Sequence, residues 1–178
     1  AGGSTTLANT GGTTFNANAL NITHTSGTLT LGTNLTTTGT YFFTAGTLAL
    51  GTYTLTASIF SSSNANARTL DFGTGKIALV GSATATIWTT STNTNLTVSG
   101  TPLVESSGGG AAVTKTINSG ALSEANAISF SLLETSGTVT YTIINTSVVK
   151  NLVVNGSQTV SNNTVTIYGA FTHQTTNG

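Results

Sequence analysis

This sequence predicts an all-β fold wound as a β-solenoid, with coils of about 19–22 residues, and three observations carry that prediction. Large aliphatics alternate with other residues in Leu20-Asn-Ile22, Leu29-Thr-Leu31, Leu48-Ala-Leu50, Ile77-Ala-Leu79, Leu96-Thr-Val98, Leu152-Val-Val154 and Val165-Thr-Ile167. That spacing sets two apolar side chains on one face of a strand. Gly, Asn or Ser closes nearly every such segment within two or three residues, the punctuation of short strands joined by turns. Phrases also recur: Ser26-Gly-Thr-Leu-Thr-Leu-Gly-Thr33 is echoed by Ala45-Gly-Thr-Leu-Ala-Leu-Gly-Thr52, 19 positions on, and Ile77-Ala-Leu79 precedes Leu96-Thr-Val98 by 19 again. A period near 20 suits one coil of a solenoid, which buries its apolar side only against the next coil. A β-sandwich or jelly roll explains the alternation and the turns equally well, but not the echo.

Composition agrees with strands. Thr supplies 42 of the 178 residues, and its branched Cβ favours extended backbone over helix. The hydrophobic share of 37% is enough to fill a core, whereas net charge is zero and one proline is present. Disordered chains usually combine low hydrophobicity with high net charge, so a folded chain is expected. We read residues 1–178 as a single all-β domain, with a subdivision placed near 105–120. There the spacing becomes irregular, and Gly108 to Gly110 read as a loop between unequal portions. The interval from Leu48 to Leu70 is already 22, so some coils carry insertions. Ala121 to Ser131 is the one stretch suited to a turn or two of helix.

Charge narrows the function. Charged residues make up 4% of the chain, against roughly 25% in ordinary soluble proteins. Four Lys or Arg cannot form the basic face that displaces counterions from nucleic acid, nor the polybasic cluster that holds an anionic membrane. No apolar run approaches the roughly 20 residues of a membrane-spanning helix. No stretch reads as a signal peptide, and Ala1 reads as a processed end or a fragment boundary. Without cysteine there is no disulfide framework and no thiolate metal site. Sequons at Asn21, Asn34, Asn95, Asn145, Asn155 and Asn162 carry little weight, because a chain this rich in Asn, Ser and Thr produces them by chance.

The ionisable side chains are Asp71, Glu105, Glu124, Glu134, Arg68, Lys76, Lys115, Lys150, His24 and His173. A glycosidase needs two carboxylates about 5–9.5 Å apart, and no two of these four acids share a local motif. Arg68 and Asp71, with Lys76 nearby, read as a surface ion pair. Residues three apart in a strand face opposite ways unless the chain bends. His24 and His173 lie far apart in the sequence, too few for zinc, and are expected on exposed strands or loops. Gly73-Thr-Gly75-Lys76 lacks the full phosphate-loop spacing, and a single Asp argues against calcium. Trp88, near Tyr41-Phe42-Phe43 and Ile59-Phe60, reads as core or interface filling ahead of a stacking platform for sugars. The pairs Thr28-Leu-Thr30, Thr54-Leu-Thr56 and Thr84-Ala-Thr86 resemble water-ordering arrays, but their phase is not kept between repeats, so ice binding ranks below the other readings. No catalytic residue, cofactor or metal is assigned, and no enzymatic activity is expected.

Thr28-Leu-Thr-Leu-Gly-Thr33, Arg68-Thr-Leu-Asp-Phe-Gly-Thr-Gly-Lys-Ile77, Asn95-Leu-Thr-Val-Ser-Gly-Thr101 and Asn163-Thr-Val-Thr-Ile-Tyr-Gly169 together resemble the Thr/Asn/Gly-rich repeats of large bacteriophage fibre and appendage proteins. The resemblance touches most of the chain from about Phe15 to Thr172. It implies a β-helical or β-sandwich building block of a virion fibre, spike or capsid decoration, and no catalytic residue follows from it. The expected partners are copies of itself, as a homo-oligomer, and other virion or filament proteins, with host-surface glycan as a further candidate. The expected location is a virion surface or the extracellular medium. A secreted filament or adhesin subunit, and a glycan-binding or depolymerising spike, stay open as alternatives.

Overall fold

The computed structural model describes residues 3–7, 15–17, 22–110, 112–134, 139–144, 146–155, 159–161 and 164–174. It is a β-solenoid of about six turns, built from parallel sheets. Three strands make each of the first five coils. They are β1 (Ser4–Leu7), β2 (Phe15–Ala17) and β3 (Ile22–His24); β4 (Thr28–Leu31), β5 (Leu35–Thr37) and β6 (Thr40–Phe43); β7 (Gly46–Ala49), β8 (Thr54–Ala57) and β9 (Ile59–Ser61); β10 (Arg68–Asp71), β11 (Lys76–Leu79) and β12 (Ala85–Thr89); then β13 (Leu96–Ser99), β14 (Leu103–Ser106) and β15 (Val113–Asn118). The first strand of each coil lies in sheet A, the second in sheet B and the third in sheet C.

Sheet A stops at β13. In the next coil its place is taken by a single 3-10 turn, Glu124–Asn126, whose Asn126 Oδ1 accepts a bond from the Val98 N–H at 2.9 Å. The helical turn foreseen for Ala121 to Ser131 is limited to these three residues. Two strands, β16 (Ile128–Leu132) and β17 (Val139–Ile143), continue sheets B and C. They are followed by β18 (Val148–Asn155), β19 (Thr159–Ser161), β20 (Thr166–Ile167) and β21 (Phe171–Gln174), with β20 and β21 both pairing β18.

Parallel register places like on like. Along sheet B, Leu35, Leu55, Ile77, Val104, Phe130 and Leu152 stand opposite one another from coil to coil, all buried. Sheet A contributes Leu48, Leu70 and Val98. Sheet C contributes Tyr41, Phe60, Trp88, Ile117 and Ile143. The rings of Tyr41 and Phe60 stack at 5.9 Å and those of Phe60 and Trp88 at 4.5 Å, while Phe130 meets Trp88 edge-on at 5.7 Å. Each such aliphatic or aromatic side chain contributes about 1.5–3 kcal/mol on burial, and its register partners lie in the neighbouring coils.

Coil length varies more than the sequence indicates. Tyr41 pairs Phe60 at 19 positions, Phe60 pairs Trp88 at 28, Trp88 pairs Ile117 at 29 and Ile117 pairs Ile143 at 26. The echo between Ile77 and Leu96 is not a coil repeat, because Ile77 belongs to sheet B and Leu96 to sheet A. Leu96 instead pairs Arg68, and Ile77 pairs Val104. Gly108 to Gly110 form the corner between β14 and β15, and sheets B and C run on past it. Leu20 of the first alternating phrase lies outside the described residues.

Glycine marks the corner between sheets A and B. Gly51, Gly73 and Gly100 all take positive φ (63°, 53° and 80°) and stack upon one another. A Cβ at Gly73 would collide with the Gly51 carbonyl oxygen, whereas a Cβ at Gly51 would meet nothing nearer than 4.0 Å. Both positions carry the left-handed backbone penalty of about 1–2 kcal/mol for an L side chain, so the pair separates conformation from contact. Gly51→Ala is expected to lose stability by that amount, and Gly73→Ala by distinctly more, as read by urea unfolding of both variants.

Candidate functional site

Three of the ionisable side chains, Arg68, Lys115 and Glu134, act as buried braces within the fold. Arg68 opens β10 and has the same strand parity as Leu70, so it points inward, and it is only 2% exposed. Its guanidinium donates to Ser62 Oγ and Ser62 O at 2.8 Å, Asn66 O at 2.8 Å, Thr92 O at 2.7 Å and Thr94 O at 3.2 Å. Burial lowers its pKa, because the charged form has given up water for neutral acceptors. The expected surface pair with Asp71 is therefore absent. Asp71 faces out, accepting from the Gly73 N–H at 3.1 Å and from the Ser99 hydroxyl at 3.0 Å. The five oxygens around Arg68 come from the loops leading into sheet A in two successive coils, and they fill that corner where the coils lengthen.

A second buried cation occupies the corner between sheets B and C. Lys115 on β15 and Glu134, two residues past β16, are both fully buried, with Nζ 2.5 Å from Oε1. Lys115 also donates to the Gly108 carbonyl. The Tyr141 hydroxyl lies 2.7 Å from Glu134 Oε1 and 2.8 Å from Ser106 Oγ, which itself donates to Oε1 at 3.0 Å. Burial, foremost, pushes the Tyr141 phenol well above its ordinary value. This network was legible only in part: Lys115 sits two residues before Ile117 and shares its inward face, but Glu134 follows a strand and has no such signature. Closed to solvent, the cluster offers no route for a substrate.

The remaining charges lie apart. Lys76 and Glu105 pair at 2.6 Å on the outer face of sheet B, and Glu124 is exposed on the 3-10 turn. The four acids thus occupy a buried corner, the outer faces of two sheets and a turn. Among the described residues no group of three or more His, Asp or Glu could hold a metal ion.

His24, expected at the surface, is buried. Its ring lies 5.1 Å from that of Phe43, its register partner, and its Nε2 is 3.1 Å from Ser26 O. Desolvation, the dominant cause, lowers its pKa below 6.5. His173 is exposed on β21. Trp88 is fully buried in the sheet C stack, with Nε1 donating to Thr90 Oγ1 at 3.2 Å, so it offers no face to a sugar. Asn34 and Asn95 use their side-chain amides within the fold, toward Thr54 N and Ala65 O. Asn155 closes β18 half-buried, and Asn21, Asn145 and Asn162 lie outside the described residues.

The outer faces of sheets A and C carry columns of hydroxyls. On sheet A, Thr28, Thr47, Thr69 and Thr97 stand opposite one another over four coils. On sheet C, Thr114, Thr140 and Thr159 form one column, and Thr86, Thr116, Thr142 and Ser161 form a second. The Thr28 column keeps its phase over four coils, whereas Thr30 stands opposite Ala49, and Thr54 and Thr56 stand opposite Lys76 and Ala78, so those threonines do not keep theirs, as the sequence indicates. Adjacent strands lie about 4.7–4.9 Å apart, so the hydroxyls repeat at that spacing. No helix among the described residues is long and apolar enough to cross a membrane.

Two measurements test these roles. Lys115→Met is expected to cost about 3–5 kcal/mol, because it strands the Glu134 carboxylate in the interior. Adding Glu134→Leu should recover part of that loss in urea unfolding. For His24, the folded pKa lies below the unfolded one, so the unfolded chain takes up the proton first. Stability should fall as pH drops from about 6.5 toward 5, and His24→Phe should flatten that part of the Tm profile.

Compared with protein-family models, with curated proteins and with solved structures, the chain matches none.

Proposed function

We propose that the chain is a self-associating structural module of a virion fibre, spike or capsid decoration, without catalytic activity of its own. One observation carries this reading: Arg68 and Lys115 are drawn inside as braces, while the outer faces of sheets A and C present columns of Thr and Ser. Such faces carry little charge to repel a copy of themselves, and their hydroxyls both donate and accept hydrogen bonds. Flat, ordered β faces meet like faces with little loss of side-chain entropy, since Thr is already restricted at χ1. The resemblance of the Thr/Asn/Gly-rich phrases to phage appendage repeats supplies the virion setting.

Lateral association is expected to make the molar mass rise with concentration in light scattering, with side-by-side particles under the electron microscope. Lysines in one column, as Thr47→Lys with Thr69→Lys and Thr97→Lys or as Thr114→Lys with Thr140→Lys and Thr159→Lys, should return the protein to monomer in at least one case. A monomer at every concentration, or assembly insensitive to both sets, would overturn the proposal.

A further inference from the structure

Of the four cations in the chain, three are spent on the fold. Arg68 and Lys115 are buried, and Lys76 is paired with Glu105. The fourth, Lys150, is exposed and forms no salt bridge among the described residues. It stands where sheet B slips out of register. Ile128 pairs with Val149 and Phe130 with Leu152, so Lys150 and Asn151 together oppose Ser129. Val149 and Leu152 remain buried, and the bulge turns both intervening side chains outward. Bulges of this kind re-aim side chains and are enriched beside functional sites.

The following coil preserves the irregularity. β20 ends opposite Val149 and β21 resumes opposite Leu152, with Tyr168, Gly169 and Ala170 crossing between them. Four bonds hold that crossing: Tyr168 N–H to Val149 O at 3.1 Å, Gly169 N–H to Lys150 O at 2.7 Å, Ala170 N–H to Asn151 Oδ1 at 2.9 Å and Leu152 N–H to Ala170 O at 2.9 Å. Asn151 Nδ2 donates in turn to Ser129 Oγ at 3.1 Å, so the amide is fixed in orientation. A groove of about 360 Å³ opens here, lined by Thr101, Pro102, Leu103 and Ser129 together with Lys150 and Asn151. In the same crossing and the strand after it, Tyr168 and Phe171 are exposed aromatics.

We propose that this groove binds an acidic saccharide, a uronate unit of a polysaccharide. Ser129, Thr101 and Asn151 offer hydroxyl and amide groups to the sugar hydroxyls. Pro102 and Leu103 supply an apolar wall for its C–H face. Lys150 supplies the point charge for the carboxylate. A groove of this size suits one or two sugar rings, and a lone lysine is far from the multiple phosphate contacts on which nucleic-acid affinity depends.

Titration calorimetry at low salt with a short oligogalacturonate, against a neutral malto-oligosaccharide of equal length, tests the site. The uronate should bind and the neutral sugar bind more weakly, with affinity falling as salt is added. Lys150→Gln should weaken uronate binding about tenfold or more, and Lys150→Arg should keep it within a few-fold. Circular dichroism of Lys150→Gln should match the parent, since the side chain is exposed. Failure of the uronate to bind, equal affinity for the neutral sugar, indifference to Lys150→Gln, or displacement by inorganic sulfate at equal concentration would each overturn the proposal.

Discussion

Everything in this molecule depends on parallel backbone hydrogen bonding between successive coils. A strand of three or four residues is too short to stand alone, and each coil exposes the same inward face on both its sides. Only when the next coil lies in register do Leu35, Leu55, Ile77, Val104 and Phe130 cover one another. The register also dictates the aromatic stack, because Tyr41, Phe60 and Trp88 are strand partners before they are ring partners. Stability in such a chain is a sum over neighbouring coils, not the property of one central core.

Register imposes a difficulty at the corners. Strands must superimpose, yet the chain between them grows from 19 residues per coil to 29. The surplus accumulates as loops, and loops bring backbone carbonyls into spaces that leucine cannot satisfy. Arg68 meets this at one corner, with five donor contacts to the loops around it, and Lys115 at another, through the Gly108 carbonyl and Glu134. Buried charge is costly unless its bonds are met. It is used here where backbone oxygens already need donors. A protein with very little charge thus places half of its cations where no solvent reaches them.

The same allocation shapes the exterior. With two cations buried and Lys76 neutralised by Glu105, the faces of sheets A and C are left mostly to Thr and Ser, with Asp71 on sheet A. Uncharged β surfaces invite pairing with other β surfaces, a hazard for a free monomer and an asset for an assembly. The exception is the bulge at Lys150 and Asn151, where sheet B slips out of register and a groove opens beside an exposed lysine. Departure from the repeat, and not the repeat itself, distinguishes that place chemically.

Alternation and turn spacing were enough to define an all-β chain of short strands, and the echo from Ser26 to Ala45 was enough to define stacking, because like residues 19 apart in Thr28 and Thr47 are true partners. Arg68 and Lys115 each stand two residues before an apolar side chain of their own strand and share its inward face, although the sequence reading pairs Arg68 with Asp71 at the surface. What the sequence could not reveal is which distant loop each would meet. Thr92 and Thr94 lie 24 and 26 positions from Arg68, and Glu134 lies 19 from Lys115. Unequal insertions conceal those distances, as they made the interval from Ile77 to Leu96 resemble a coil that does not exist. The sequence by itself determined the strands, their inward faces and the near-absence of charge, since these follow from local side-chain chemistry. Only the tertiary structure decided coil length, the burial of His24 and the groove beside Lys150, because each depends on how one coil is laid upon the next.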